Sequence, residues 1–258
     1  MRIEKIVGMI TFLSVLGSFV LGGVIEGDKK GVVTYADGQV KRKPVDIENW
    51  ENAPVNTEVL SGDKVRTYRE SRAELDLAEM DIIRLAPGTV IDVVKLYQET
   101  KEKKVETEIN LVAGEVWASV HEIEVDTKFD ISAPITAAAI TGTNLRMKVD
   151  EDSTTQLKVY KGEVRITNAP QRSDLTPRSL VPREMEGPRQ IPGPSEVTVE
   201  EWIYIVASMQ QITIDKNGLV VSMGQFTSQD EDEADDWVIW NQRRDQTRLE
   251  RINELLRR

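Results

Sequence analysis

Apolar and polar residues alternate with a period of two over most of residues 30–168. This alternation is typical of half-buried β-strands, whose successive side chains point to opposite faces of a sheet. No stretch of 3.6-residue periodicity long enough for a helix interrupts it. We therefore predict an all-β body. The apolar positions that carry the pattern are Ala73, Leu75 and Leu77; Ile109 and Leu111; Val116, Ala118 and Val120; Leu145, Met147 and Val149; Leu157 and Val159; Val164 and Ile166.

Glycine-containing turn signals separate the predicted strands. Three of them resemble one another, because Gly62-Asp63, Gly114-Glu115 and Gly162-Glu163 each precede a new apolar-polar alternation. Glycine supplies the positive φ that a tight turn requires. Their recurrence at roughly 50-residue intervals favours a solenoid of stacked β-hairpins. A glycine followed by an acid is also a common turn on its own, so the repeat is one of two interpretations.

The chain changes character after the predicted body. Six of the ten prolines fall within residues 169–195, which we interpret as a Pro-rich linker. Residues 196–226 then show strand patterns, and Asp215-Lys216-Asn217-Gly218 is a strong signal for a hairpin turn. We therefore predict a β-hairpin extension there.

Residues 228–258 are predicted to form a charged amphipathic helix. Ser228 and Glu231 have the spacing of a capping box, acids crowd the beginning and arginines crowd the end. Two interpretations remain open: the helix docks on its own β domain, or it binds a partner and allows a homo-oligomer to form. Gln242 and Asp245 interrupt its apolar stripe. The candidate partner-binding residues are Trp237, Trp240, Arg244, Leu249, Ile252 and Leu256.

The first 25 residues have the pattern of an export signal. Arg2 and Lys5 precede an uncharged, largely apolar run over residues 6–25. A run of that length serves either as a cleaved signal peptide or as a retained N-terminal membrane anchor. Both alternatives place the chain from Glu26 onward outside the cytoplasm, in the periplasm or on the outer face of the inner membrane.

Composition removes several classes of chemistry. The chain has no cysteine and one histidine, His121, so thiol nucleophiles, disulfides and multi-histidine metal sites are excluded. Its net charge of −11 argues against nonspecific binding to nucleic acid. No Gly-x-Gly-x-x-Gly or Walker-type loop supports nucleotide binding. We interpret His121 as a solvated residue at a strand end, and we predict no catalytic residue, cofactor or metal site.

A set of short motifs follows one another in a characteristic order. They are Gly62-Asp63, Leu85-Ala86-Pro87-Gly88-Thr89, Leu111-Val112-Ala113-Gly114-Glu115-Val116-Trp117, Phe129-Asp130-Ile131-Ser132-Ala133-Pro134, Ala137-Ala138-Ala139-Ile140-Thr141-Gly142-Thr143 and Lys161-Gly162-Glu163-Val164. In this order, residues 30–168 resemble the FecR domain. Ala133, Thr141 and Leu145 depart from the residues usual in that family. The motif residues carried over as structural positions are Gly62, Asp63, Gly114, Pro134, Gly142, Thr143 and Gly162.

The resemblance implies an all-β, solenoid-like or sandwich domain that binds partners or relays a signal and has no catalytic residues. Full-length FecR regulators carry a cytoplasmic segment before their membrane span. Only five residues precede the apolar run here, so we expect a stand-alone, exported form. We predict a non-catalytic binding or scaffold module of the cell envelope, with a protein or glycan partner. The alternatives are an assembly protein that oligomerises through its C-terminal helix and a component of transmembrane signal relay.

The export prediction can be tested by N-terminal sequencing and intact mass of the protein purified from native cells. We expect either a mature start near Gly23 in a soluble envelope fraction or an intact Met1 in the membrane fraction. An intact chain in the cytoplasmic fraction would contradict the prediction.

Overall fold

The computed structural model describes residues 30–77, 81–99, 105–121, 127–169, 177–180 and 201–257. These residues form sixteen β-strands, one 3₁₀ turn and one α-helix, which confirms the predicted all-β class with a helical tail. In chain order the elements are β1 (Gly31–Asp37), β2 (Val40–Lys43), β3 (Glu51–Asn52), β4 (Glu58–Val59), β5 (Lys64–Thr67), β6 (Arg72–Asp76), β7 (Ile82–Leu85), β8 (Val90–Glu99), β9 (Val105–Ser119), β10 (Thr127–Ser132), β11 (Ala137–Val149), β12 (Thr155–Thr167), β13 (Arg178–Ser179), β14 (Ile203–Ala207), β15 (Gln210–Ile214), β16 (Val220–Gln225), the 3₁₀ turn Glu231–Ala234 and α1 (Asp236–Leu256).

The strands belong to one mixed sheet that bends around an apolar interior. Its main path runs β13-β14-β12-β11-β10-β9-β7-β6-β1-β4. β9 also pairs with β8, which leads through β5 to β2 and β3. β14 and β15 both pair with β12, so the strands after residue 201 continue the sheet of the body. Among the described strands, β9 with β10 and β13 with β14 are parallel, and the other pairs are antiparallel.

The interior is built from the alternating apolar positions of the long strands. Leu75, Ile109, Leu111, Met147 and Leu157 are fully buried in one continuous cluster. Aliphatic side chains dominate that cluster, as expected for a chain with only 5% aromatic residues. The period-two pattern therefore predicted correctly which side chains face inward in these strands.

Two of the predicted glycine turns are bends inside continuous strands. Gly114 lies within β9 and Gly162 within β12, each with a φ of +90°. Before its glycine β9 pairs with β8 and β10, and after it with β7 and β11. β12 changes its partner from β15 to β14 across Gly162. A positive φ serves a β-bulge as well as a hairpin, so the local signal does not distinguish them.

The tail helix begins later than predicted. α1 starts at Asp236, and the side chain of Asp235 accepts a hydrogen bond from the backbone N–H of Trp237 at 2.7 Å. The predicted capping box of Ser228 and Glu231 is therefore wrong, because a 3₁₀ turn separates these residues from the helix. The competing cap lies directly at the helix start, where a carboxylate also meets the positive end of the helix dipole.

The hairpin predicted around residues 215–218 is present between β15 and β16. Asp215 Oδ1 accepts hydrogen bonds from the backbone N–H groups of Asn217 and Leu219, both at 2.9 Å. The predicted export segment, residues 1–25, lies outside the described residues, as does most of the predicted linker at 169–195. Within the described ranges, no helix combines the length and apolar character needed to cross a membrane.

We predict that Gly114→Ala destabilises the fold by about 2 kcal/mol or more, because a non-glycine residue with positive φ is strained. The added Cβ would also lie 2.6 Å from the Cα of Thr89. Urea unfolding measures the effect. Gly224→Ala is the matched strand control, since its Cβ would meet nothing within 4 Å. Equal losses from both variants would refute the role assigned to the bend.

Candidate functional site

A row of polar and aromatic side chains crosses the outer face of the sheet, opposite the apolar interior. Cross-strand register places Glu74 of β6 beside Arg84 of β7, Arg84 beside Trp117 of β9, Trp117 beside Arg146 of β11, and Arg146 beside Lys158 of β12. Paired residues of neighbouring strands point to the same face. We call these five residues the outer row.

The tail covers the outer row, so its charged members are buried. Arg84 and Lys158 are each 1% exposed, and Glu74 and Arg146 are each 6% exposed. A charge removed from water in this way is tolerated only when it is paired and hydrogen-bonded. The 3₁₀ turn and α1 supply partners of opposite charge along the row.

Asp245 of α1 is the centre of the first ionic cluster. Its Oδ1 accepts a hydrogen bond from Arg84 Nη1 at 2.7 Å, and its Oδ2 accepts from Trp117 Nε1 at 2.9 Å and from Asn144 Nδ2 at 3.1 Å. Arg84 also donates a hydrogen bond through Nε to Glu74 Oε2 at 2.6 Å. Asp245 thus satisfies three donors from three different strands with one carboxylate.

Glu74 is held by two arginines. Besides Arg84, Arg244 of α1 donates to both carboxylate oxygens, at 2.8 and 2.7 Å, and Thr34 donates to Oε1 at 2.8 Å. Burial by itself raises the pKa of Glu74, but these hydrogen bonds and the charge of Arg84 outweigh it and lower the pKa from 4.5 to about 2. Glu74 therefore carries its charge in the folded protein at neutral pH.

The second ionic cluster joins the 3₁₀ turn to β11 and β12. Lys158 Nζ bonds Asp232 at 2.6 Å and Glu233 at 3.0 Å, and Arg146 pairs with Asp232 as well. Tyr160 donates its hydroxyl to Glu233 at 3.0 Å. Burial raises the pKa of Tyr160, and its neighbouring acids add to the effect, so the hydroxyl keeps the proton it donates.

Aromatic rings fill the space between the two ionic clusters. Trp117 packs on Tyr160 with their centroids 4.4 Å apart, and Trp237 stacks on Trp240 at 5.4 Å. Trp240 also packs against Tyr35 of β1, with the two ring centroids 5.3 Å apart. These contacts bury apolar area beside the ion pairs and exclude water from them. The tail helix therefore docks on its own β domain, one of the two alternatives that the sequence left open.

The predicted helix residues fall into two groups. Trp237 is buried, and Trp240 and Arg244 are half-buried against the domain. Leu249 is 55% exposed and Ile252 is half-buried, beyond the part of α1 that covers the sheet. The helix includes Leu256, whose side chain lies outside the described part of the chain.

The predicted motif residues lie at turns and bends of the β domain. Asp63 is 1% exposed and accepts hydrogen bonds from Arg42 Nε at 2.6 Å and from the backbone N–H of Leu60 at 2.7 Å. The preceding glycine fits beneath Val45, which a Cβ there would meet at 2.9 Å. The positions concerned are Gly62 and Asp63 before β5, Gly114 in β9, Pro134 between β10 and β11, Gly142 and Thr143 in β11, and Gly162 in β12.

Three of these motif positions meet across β11 and β12. Thr143 is fully buried, and its hydroxyl donates to the backbone oxygen of Glu163 at 3.1 Å. A Cβ on Gly162 would lie 2.7 Å from the backbone oxygen of Gly142. The motif pairs thus fit the bends of β11 and β12 against each other.

Sequence reasoning missed the outer row and Asp245. Arg84, Arg146 and Lys158 occupy the polar half of period-two strands, where the pattern predicts exposure to solvent. Asp245 is one of the two polar residues that interrupt the apolar stripe of the helix. A signal was present, since acids of the tail face a sheet whose outer positions are basic, but the pairing requires the docked position of the helix.

No group of three or more His, Asp or Glu suited to a metal ion occurs within the described ranges. His121 is exposed, and its backbone N–H donates to buried Asp81 at 2.8 Å. Tyr97 also donates its hydroxyl to Asp81. Burial raises the pKa of Asp81, although these hydrogen bonds oppose the shift.

Comparison with protein families gives one match. Residues 63–165 match the family model described as FecR protein. These residues form a FecR domain. The resemblance predicted for residues 30–168 is confirmed over this range, and the FecR domain contains every member of the outer row.

Similar solved structures include two crystal structures of a candidate anti-sigma factor from Parabacteroides distasonis, at 1.65 and 2.50 Å. Each has 14% sequence identity to this chain, with TM-scores of 0.43 and 0.44. Each match covers 64% of this chain and 61% of the other. A comparison with curated proteins found no match.

We predict that Glu74→Gln lowers the stability of the protein at neutral pH and weakens its acid dependence. The depressed pKa of Glu74 means that its ionised form contributes stability above about pH 4.5, and that this contribution is lost as the pH falls toward about 2. The difference in unfolding free energy between wild type and variant should therefore shrink over that range.

Urea unfolding at several pH values measures this difference. Glu163→Gln is the control, because Glu163 is an exposed glutamate of β12 with no ion pair among the described residues. A difference for Glu74→Gln that stays constant between pH 4.5 and 2 would contradict the assignment.

Proposed function

We propose that this protein is a non-catalytic FecR-domain module of the cell envelope that binds a protein partner in signalling or regulation. The FecR family is generally non-enzymatic and typically associated with the envelope. The export pattern of residues 1–25 supports a location in the periplasm or on the outer face of the inner membrane. A glycan partner is the alternative.

The observation that carries this proposal is the division of α1 into two halves. Side chains of the first half, up to Asp245, are clamped on the outer row. The second half continues past the clamp with Leu249 exposed and Ile252 half-buried. A helix that is fixed at one end and displays apolar residues at the other is a preorganised binding element, because its ordered backbone reduces the entropy cost of binding.

A groove lies beside the displayed half of the helix. It has a volume of about 430 Å³, and its lining includes His121 just after β9, Thr141 and Lys161 from the sheet, and Leu249 and Ile252 from the helix. The lining combines apolar groups with Lys161, and its one carboxylate, Asp245, is paired with Arg84, which suits an amphipathic protein segment with acidic residues at its margin. The groove is therefore our candidate site for the protein partner.

Self-assembly through the same surface is the second candidate function. The exposed leucine and the half-buried isoleucine lie three positions apart, the spacing that lines one side of a helix. Such a stripe also pairs with a second copy of the chain. One experiment separates the two candidates.

A photo-crosslinking residue placed at Leu249 in the full chain tests the proposal in cells that produce the protein natively. We expect a discrete adduct with another protein. The matched control is the same residue at Leu219, which is 49% exposed at the turn before β16, outside the helix.

An adduct of twice the chain mass would instead establish self-assembly through the helix. Equal labelling from both positions, or no adduct from Leu249, would contradict a binding role for the displayed half of α1.

A further inference from the structure

A second surface of the domain carries charge of the sign opposite to that of the whole chain. On β2, β5 and β8, register places Lys41 beside Arg66, and Lys43 beside Lys64. Residues two apart on a strand share a face, so all four cations lie on one side of this strand group. We call these four residues, together with Trp50 and Tyr68, the basic-aromatic patch. It is independent of the tail helix and its groove.

Arg66 is the organising residue of the patch. Its guanidinium lies 4.2 Å from the ring centroid of Trp50 and 4.4 Å from that of Tyr68. Lys41 lies 5.9 Å from the Tyr68 ring. Stacking on aromatic rings fixes the plane of a guanidinium, so its N–H groups point in defined directions.

Arg66 also carries a hydrogen-bond donor that no described residue satisfies. Arg66 Nε is buried and has no hydrogen-bond partner among the described residues. A buried donor without a partner is uncommon in native proteins. Arg66 therefore has a fixed orientation and an Nε–H group without an acceptor among the described residues.

The charge of the patch is largely uncompensated. Lys64 pairs with Asp92 at 2.7 Å, whereas Lys41, Lys43 and Arg66 form no ion pair with any described residue. The chain as a whole has 44 acidic and 33 basic residues. A face with three cations that have no paired carboxylate is therefore unusual for this composition. Such a surface attracts anions.

The arrangement favours an extended acidic peptide over other anions. Lys41 and Lys43 are separated by about 7 Å along β2, the distance between alternate side chains of an extended chain. The ring faces that Arg66 covers are not free to stack on a sugar or a nucleobase. Carboxylates match the planar fork of a guanidinium.

We propose that the basic-aromatic patch binds an extended acidic segment of a partner protein. One carboxylate of the segment accepts hydrogen bonds from Arg66, and alternate carboxylates pair with Lys41 and Lys43. This interaction adds a second contact surface on the FecR module, on a different part of the sheet from the tail groove.

Fluorescence anisotropy with the full chain and a short labelled oligoglutamate peptide tests the proposal. We expect saturable binding that weakens with salt, and Arg66→Gln should raise the Kd at least about tenfold through the loss of a charge-assisted contact. Arg66→Lys should recover only part of the affinity, since lysine lacks the planar fork. Arg165→Gln, in an exposed strand residue of β12, is the matched control and should leave the Kd unchanged.

The double variant Lys41→Gln/Lys43→Gln keeps the test decisive if Arg66→Gln fails to fold, because these side chains lie at the surface margin and form no ion pair with a described residue. It should also weaken binding at least about tenfold. No binding by the wild type, or an equal loss in Arg165→Gln, overturns the proposal.

Inorganic polyphosphate and an oligogalacturonate of matched charge identify the class of anion. Tighter binding of either probe than of oligoglutamate would overturn the assignment to a peptide. Crosslinking from Leu249 should be unchanged in Arg66→Gln, so the failure of this proposal is distinguishable from that of the tail groove.

Discussion

The architecture depends on the burial of charges on the outer face of the sheet. Arg84 and Lys158 lie in strand positions that would face water if the tail were absent, and each is 1% exposed in its presence. Leaving such a buried cation without its carboxylate costs about 3–5 kcal/mol. Asp245, Asp232 and Glu233 supply the carboxylates, so the docked position of the tail is specified by charge as well as by apolar contact.

The same constraint connects the fold to the candidate site. Asp245 is the last residue of α1 in the two ionic clusters, and the helix continues from there beside a groove. Burial fixes the direction of the helix, and that direction determines which residues are displayed. Leu249 is exposed on the part of α1 that follows Asp245, four residues earlier, which three strands hold.

The two charged surfaces illustrate different uses of arginine. Glu74 and Asp245 accept hydrogen bonds from Arg84, so this arginine serves the structure of the protein. The guanidinium of Arg66 is fixed by aromatic rings, and its Nε has no hydrogen-bond partner among the described residues, which suits this side chain to a ligand. The distinction lies in the partners that the fold brings to each side chain, because the residue type is the same.

The period-two pattern by itself determined the all-β class and the inward positions such as Leu75 and Met147, since alternation reports directly on one buried face. The order of the short motifs was enough to relate residues 30–168 to the FecR domain, and the family model matches residues 63–165 of this range. Gly114 showed only that a positive φ was needed, because a bulge and a hairpin make the same local demand. Only the tertiary structure decided that β9 continues through it, that Lys158 is buried, and that Asp245 is a central acceptor. Each of these depends on contacts between residues far apart in the chain, which no local pattern records.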